Sequence, residues 1–149
     1  MIDAPDLASA IASAPVFESL GLPEIRAILS RFEEQSFNAG HRVTLEGYRG
    51  AEFYLIISGS ATVAIDGSPV ARLGVGDFFG EIAVLSDGFR SATVTADAPL
   101  RCFVLNNNAL EQLLVEHPRL GLNLLHEVVA RLKDAGSRPP HMKVLSTLS

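Results

Sequence analysis

Residues 76–94, GDFFGEIAVLSDGFRSATV, carry the densest chemistry in the chain. Two glycine turns bracket a short helix-capable piece, Glu81 to Leu85, and Arg90 leads into a β-prone run. A helix N-terminus offers unpaired N–H groups and positive dipole potential, which suits an anion. Gly80 lets the backbone approach a ligand closely. Arg90 adds a planar cation whose fork fits phosphate oxygens. Glu81 is out of place against a bare phosphate, since it only accepts hydrogen bonds when ionised. It makes sense as an acceptor for a sugar hydroxyl, as acidic residues serve ribose in dinucleotide folds. Taken alone, Arg90 reads equally well as a surface ion pair. At this spacing from Gly80 and Glu81 the ligand reading dominates.

Rival chemistries fail on spacing. Gly74, Gly76 and Gly80 stand one residue too far apart for a dinucleotide fingerprint, and no βαβ unit surrounds them. His41, His117, His126 and His141 are scattered, so neither a metal site nor a metal-dependent enzyme of the cupin kind is expected. No phosphate loop and no nucleophile elbow occur, so no catalytic residue is assigned. Cys102, in an apolar run, reads as a small buried hydrophobe.

The elements that must position these residues follow from pattern. The chain has 149 residues, 48% apolar and 19% charged, which is a globular composition of one-domain size. Lys+Arg 12 against Asp+Glu 17 gives a net charge of -5, so binding of nucleic acid through overall charge is not expected. The acidic N-terminus, with Asp3 and Asp6, does not read as a signal peptide, and no apolar run reaches membrane-spanning length. With a single cysteine besides, the cytoplasm is the expected compartment and no membrane partner is expected.

Residues 6–32 read as helices: Asp6 caps one that Pro15 stops, and Leu22-Pro23-Glu24 opens another. Residues 33–105 switch to short runs of Val, Ile, Thr, Phe and Tyr between glycines. Asp66-Gly67 between two such runs signals a tight primed hairpin. This spacing indicates a sandwich or barrel. Residues 108–135 return to helical period, with capping-box spacing at Asn108 and Glu111 and a break at Pro118. Gly136 and Pro139-Pro140 end the last helix, and 137–149 read as a flexible tail. The apolar residues of that helix, Leu120 through Leu132, spread over roughly 200° at about 100° per residue. One-sided packing needs little more than about 100°, so the helix is expected to touch its own domain and a second body, a partner subunit or a ligand pocket.

The 76–94 segment resembles the phosphate-binding cassette of cyclic nucleotide-binding domains. Glu46-Gly47, then Gly50-Ala51-Glu52-Phe53-Tyr54-Leu55-Ile56 and Ser58-Gly59, is similar to the strand and turn that precede it in that family. Val16-Phe17-Glu18-Ser19-Leu20 resembles the family's helical lead-in. The resemblance implies an eight-stranded jelly-roll β-roll over about 33–105 with flanking helices, in one domain spanning 1–136. It implies that Gly80 and Glu81 hold a ribose, with Glu81 on its 2′-hydroxyl. Arg90 would pair with the cyclic phosphate, Ser91 would add a hydroxyl or N–H, and the N–H groups of Ile82 and Ala83 would complete the cradle. Phe79, Val63 and Leu73, with Leu85, would form apolar walls. Arg131, on the C-terminal helix, would stack on the purine.

The implied ligand is a cyclic nucleotide, cAMP rather than cGMP because Ser and not Thr follows the arginine. The implied role is that of a small regulatory sensor, not an enzyme, needing no cofactor. Its C-terminal helix would move on binding, a protein effector would read the movement, and the same helix would mediate a homodimer. One departure stands out: the family carries Pro before the arginine, and here it is Phe89. That leaves an alternative, a degenerate domain of this fold that acts as a protein-interaction module without nucleotide.

Overall fold

A computed structural model describes residues 4–136. The expected tail over 137–149 and the side chain of Asp6 lie outside the described residues. Helix α1 (Ala4–Ile11), a 3₁₀ turn (Pro15–Phe17) and α2 (Leu22–Leu29) lead into eight strands. These are β1 (Glu33–Phe37), β2 (Arg42–Thr44), β3 (Glu52–Ser58), β4 (Ala61–Ile65), β5 (Ser68–Leu73), β6 (Phe78–Phe79), β7 (Thr93–Ala96) and β8 (Leu100–Asn106). Helix α3 (Glu81–Leu85) interrupts the roll, and α4 (Asn107–Glu116) and α5 (Pro118–Gly136) follow it. The strands form two antiparallel sheets, ordered β1-β8-β3-β6 and β2-β7-β4-β5. This is the jelly-roll β-roll with flanking helices that the resemblance implies.

Strand β3 explains the layering. Phe53, Leu55 and Ile57 face a core made with α1, α2, α4 and α5, while Tyr54 and Ile56 face the space between the sheets. A strand buried on both faces reads as an unbroken apolar run, as 53–57 does. Strand β4 has only one buried face, and its residues alternate accordingly. The turn between β4 and β5 has positive φ at both Asp66 (52°) and Gly67 (78°), the primed conformation that matches strand twist. Glu46 Oε1 braces it by accepting from the Asp66 N–H at 2.9 Å.

Element bounds shift in places. The first helix ends at Ile11, and the run expected as a strand from Ser91 starts at Thr93, leaving Ser91 and Ala92 as a bend. The cap of α4 is Asn106, whose side chain accepts from the Ala109 N–H at 2.9 Å, rather than Asn108. Strand β8 runs straight into the helix there, so the last strand residue supplies the cap. His117 closes α4, and its Nδ1 lies 2.8 Å from Glu24 Oε2, tying the α4–α5 corner to α2.

Candidate functional site

The two aromatics of β6 part company. Phe78 enters the helical core and Phe79 the interior of the roll, where Tyr54 stacks on it at 4.7 Å. The chain then turns at Gly80, whose φ of 89° suits glycine. A Cβ there would also lie 2.6 Å from the Glu52 carbonyl and 2.9 Å from Arg90 Nη1. The Gly80 carbonyl accepts from the Val84 N–H at 3.3 Å and from Arg90 Nη1 at 3.2 Å.

Arg90 is 6% exposed. Its backbone is fixed on both sides, N–H to the Tyr48 carbonyl at 2.8 Å and carbonyl to the Gly47 N–H at 2.9 Å. Its side chain fills space that only a glycine at 50 leaves, since a Cβ on Gly50 would overlap Nε and Cζ. The Tyr54 ring lies below it, 5.8 Å from Cζ, and burial raises the Tyr54 hydroxyl above its usual pKa. The Glu52 carboxylate stands 3.9 Å away, beyond hydrogen-bond length. Arg90 is thus a buried cation whose charge is only partly matched.

Phe89 holds the turn by other means than the ring of a proline. Its N–H donates to Asp87 Oδ1 at 3.0 Å, a bond that proline cannot make, and Arg49 lies 4.5 Å over its ring.

Glu81 is more deeply enclosed, at 1% exposed. Arg131 Nη1 donates to its Oε1 at 3.0 Å, and its Oε2 accepts from the Ile82 N–H at 3.2 Å. Burial pushes the Glu81 carboxyl up to about 7, with Arg131 the strongest opposing influence. Arg131 also donates through Nη2 to the Phe78 carbonyl at 2.6 Å and lies 4.2 Å over the Phe78 ring.

A pocket of about 110 Å³ opens between the roll and these groups. Its lining includes Gly80, Ile82, Ala83, Arg90, Ser91 and Arg131, together with Val63, Leu73 and Phe79. Nine of the ten expected site residues thus line one pocket, and the tenth, Glu81, sits behind the wall. The Ile82 N–H is already bonded to Glu81, and Arg131 rests on Phe78. Leu85 is 47% exposed and lies outside the pocket, so the expected wall role fails: it falls on the outer side of α3. Sequence reasoning missed Thr44, Ala71 and Asp134, which also line the pocket. It missed the parts played by Gly50 and Tyr54 as well. Asp134 follows Arg131 at helical spacing, a signal that was available. Thr44 carried none, since its hydroxyl serves the backbone, donating to the Ala92 carbonyl and accepting from the Val94 N–H.

The family model described as "Cyclic nucleotide-binding domain" matches residues 34–117, more than half of the chain. The chain belongs to the cyclic nucleotide-binding domain family. This domain is 34% identical over 131 residues to a cGMP-dependent protein kinase of Eimeria tenella, covering 87% of this chain and 13% of that protein. It is 36% identical over 108 residues to a cAMP-dependent protein kinase regulatory subunit of Neurospora crassa, covering 71% of this chain and 28% of that subunit. The domain therefore spans only a small part of the curated relatives it matches. Among solved structures it resembles the catabolite activator protein of Thermus thermophilus, with TM-score 0.75 and 28% identity, over 82% of this chain and 60% of that one. Among the described residues, no helix is long and apolar enough to cross a membrane, and no group of three or more His, Cys, Asp or Glu could hold a metal.

Proposed function

We propose that this domain reversibly binds a cyclic nucleotide monophosphate, cAMP in preference to cGMP, and acts as a regulatory module rather than an enzyme. The observation that carries the reading is Arg90, a buried cation in a pocket wall with its nearest paired carboxylate 3.9 Å away. A singly charged cyclic phosphate is the partner such a group lacks. Ser91 and the Ala83 N–H extend the phosphate subsite, and the Ile82 N–H joins them when its bond to Glu81 Oε2 opens. Gly80 receives the ribose, Glu81 meets its 2′-hydroxyl on a rearrangement that brings the carboxylate out from behind the wall, and Val63, Leu73 and Phe79 cover its apolar faces. The relatives' names divide between the two nucleotides, so the preference for cAMP rests on Ser91, where a threonine would accompany cGMP.

Helix α5 carries Arg131 into the pocket and Leu120 and Leu124 into the helical core. A ligand that favours one arrangement of cassette and α5 shifts the population toward it, and a protein effector reads the change. Leu122, Leu125, Val129 and Leu132 stay exposed on the same helix, and we assign this stripe to a homodimer contact.

Calorimetric titration of cAMP and cGMP into protein refolded to remove bound nucleotide tests the reading. Saturable binding of one ligand per chain is expected, tighter for cAMP. Arg90→Ala should weaken it by about 2–5 kcal/mol, because a buried anion loses its paired charge. A change below about threefold, or ~0.7 kcal/mol, would remove Arg90 from the phosphate. A folded protein that binds neither nucleotide would instead be an interaction module of this fold.

A further inference from the structure

Strand β2 departs from regular alternation beside the pocket. Its register against β7 slips: Arg42 stands opposite Thr95 and Thr44 opposite Val94, so two steps on β2 meet one on β7. The extra residue is a β-bulge, which re-aims side chains. Val43 packs against the core inside the roll, and its neighbour Thr44 is 4% exposed and lines the pocket. In an unbroken strand these two would face opposite ways. A bulge also leaves ladder groups unpaired, and the Thr44 hydroxyl takes up two of them. It donates to the Ala92 carbonyl at 3.0 Å and accepts from the Val94 N–H at 3.1 Å. A hydroxyl has one hydrogen to give, so Thr44 keeps no donor for a ligand.

These bonds hold the bend at Ser91 and Ala92, between Arg90 and the start of β7. Before Ser91, the Arg90 backbone is pinned to Gly47 and Tyr48. After it, the pins are threonine hydroxyls: Thr44 on Ala92 and Val94, and Thr93, whose Oγ1 accepts from the Glu46 N–H at 3.0 Å. Ser91 lies half-buried at the pocket wall between the two sets.

We propose that Thr44 is a positioning residue for the phosphate subsite: through Ala92 and Val94 it fixes the bend that aims Ser91 at the cyclic phosphate. The proposal rests on the nucleotide reading above. Valine has nearly the shape of threonine but would leave the Ala92 carbonyl and the Val94 N–H without their partner, so the bend would lose its hold. Serine keeps the hydroxyl.

Calorimetry with cAMP on wild type, Thr44→Val, Thr44→Ser, Ser91→Ala and the double variant Thr44→Val/Ser91→Ala tests this. A hydrogen bond to a charged group is worth about tenfold or more, so Ser91→Ala and Thr44→Val should each lose about tenfold in affinity. Thr44→Ser should recover most of the loss seen in Thr44→Val. Once Ser91 is replaced, adding Thr44→Val should cost less than about twofold. Thermal melts supply the contrast: Thr44→Val should lower the melting temperature equally with and without Ser91→Ala, because the same backbone groups are left unpaired. A Thr44→Val protein that binds like wild type overturns the proposal. So does an equal loss of affinity in the Ser91→Ala background, which would make Thr44 a ligand contact or a packing residue, and so does a serine variant as weak as the valine one. If Thr44→Val does not fold, the half-buried Thr93→Val takes its place in the same cycle, with an expected loss of about threefold for one neutral hydrogen bond. If wild type binds no nucleotide, the reading above fails and takes this role with it. Wild type that binds, with no coupling to Ser91, fails the proposal alone.

Discussion

Arg90 and Gly50 are one feature at the residue scale. The guanidinium occupies the space in which a Cβ at position 50 would stand. Gly50→Ala must therefore push Arg90 out of place or shift the β3 approach. We expect a loss of about tenfold or more in nucleotide affinity, ~1.4 kcal/mol, and an overpacking cost to stability of about 1–3 kcal/mol. In Arg90→Ala the space is free, so adding Gly50→Ala to that background should cost little further stability, and the two effects should be non-additive. Titration and thermal melts of the two single variants and the double variant test this, and a Gly50→Ala protein that binds like wild type would break the steric link. Local chemistry was enough to single out Gly80 and Arg90, because a turn glycine beside a helix start and a nearby arginine carry their meaning within one segment. The Gly50–Arg90 and Glu81–Arg131 contacts were not legible. They join distant stretches of chain, and nothing in either stretch names the other.

At the scale of elements, α5 answers the question raised by its wide apolar arc. Leu120 and Leu124 turn inward with Val128 packed beside them, while Leu122, Leu125, Val129 and Leu132 remain outside. The outer four follow one another by three, four and three residues, the a/d spacing of a two-helix seam. The proposed homodimer thus has a specific register to test. Leu125→Glu places a charge in the seam without touching the core, so sedimentation should read self-association in wild type and a monomer in the variant, with similar melting temperatures. Concentration-independent monomers in both would leave the stripe without this use. The α4 cap shows where pattern fell short. Three consecutive asparagines, 106 to 108, all suit an N-cap. Capping-box spacing chose Asn108, but the choice belongs to the strand that ends at Asn106.

For the molecule as a whole, the roll was readable because short β-branched runs, glycine turns and a primed hairpin all point to the same architecture. The division into two cores was not. It depends on the unbroken apolar run of β3 facing helices on one side and the opposite sheet on the other, and a run without alternation does not say which neighbours it has. Cys102 lies on the inner side of that arrangement, on β8 and fully buried, with its thiol pushed up to about 12 by burial. It is the one cysteine of the chain. An alkylating reagent needs a thiolate it can reach, so it should label this protein only as fast as the two sheets part. A ligand that binds the closed roll slows labelling in proportion to its occupancy. The protein thus carries an internal clock for its own opening, readable by mass spectrometry without any added probe.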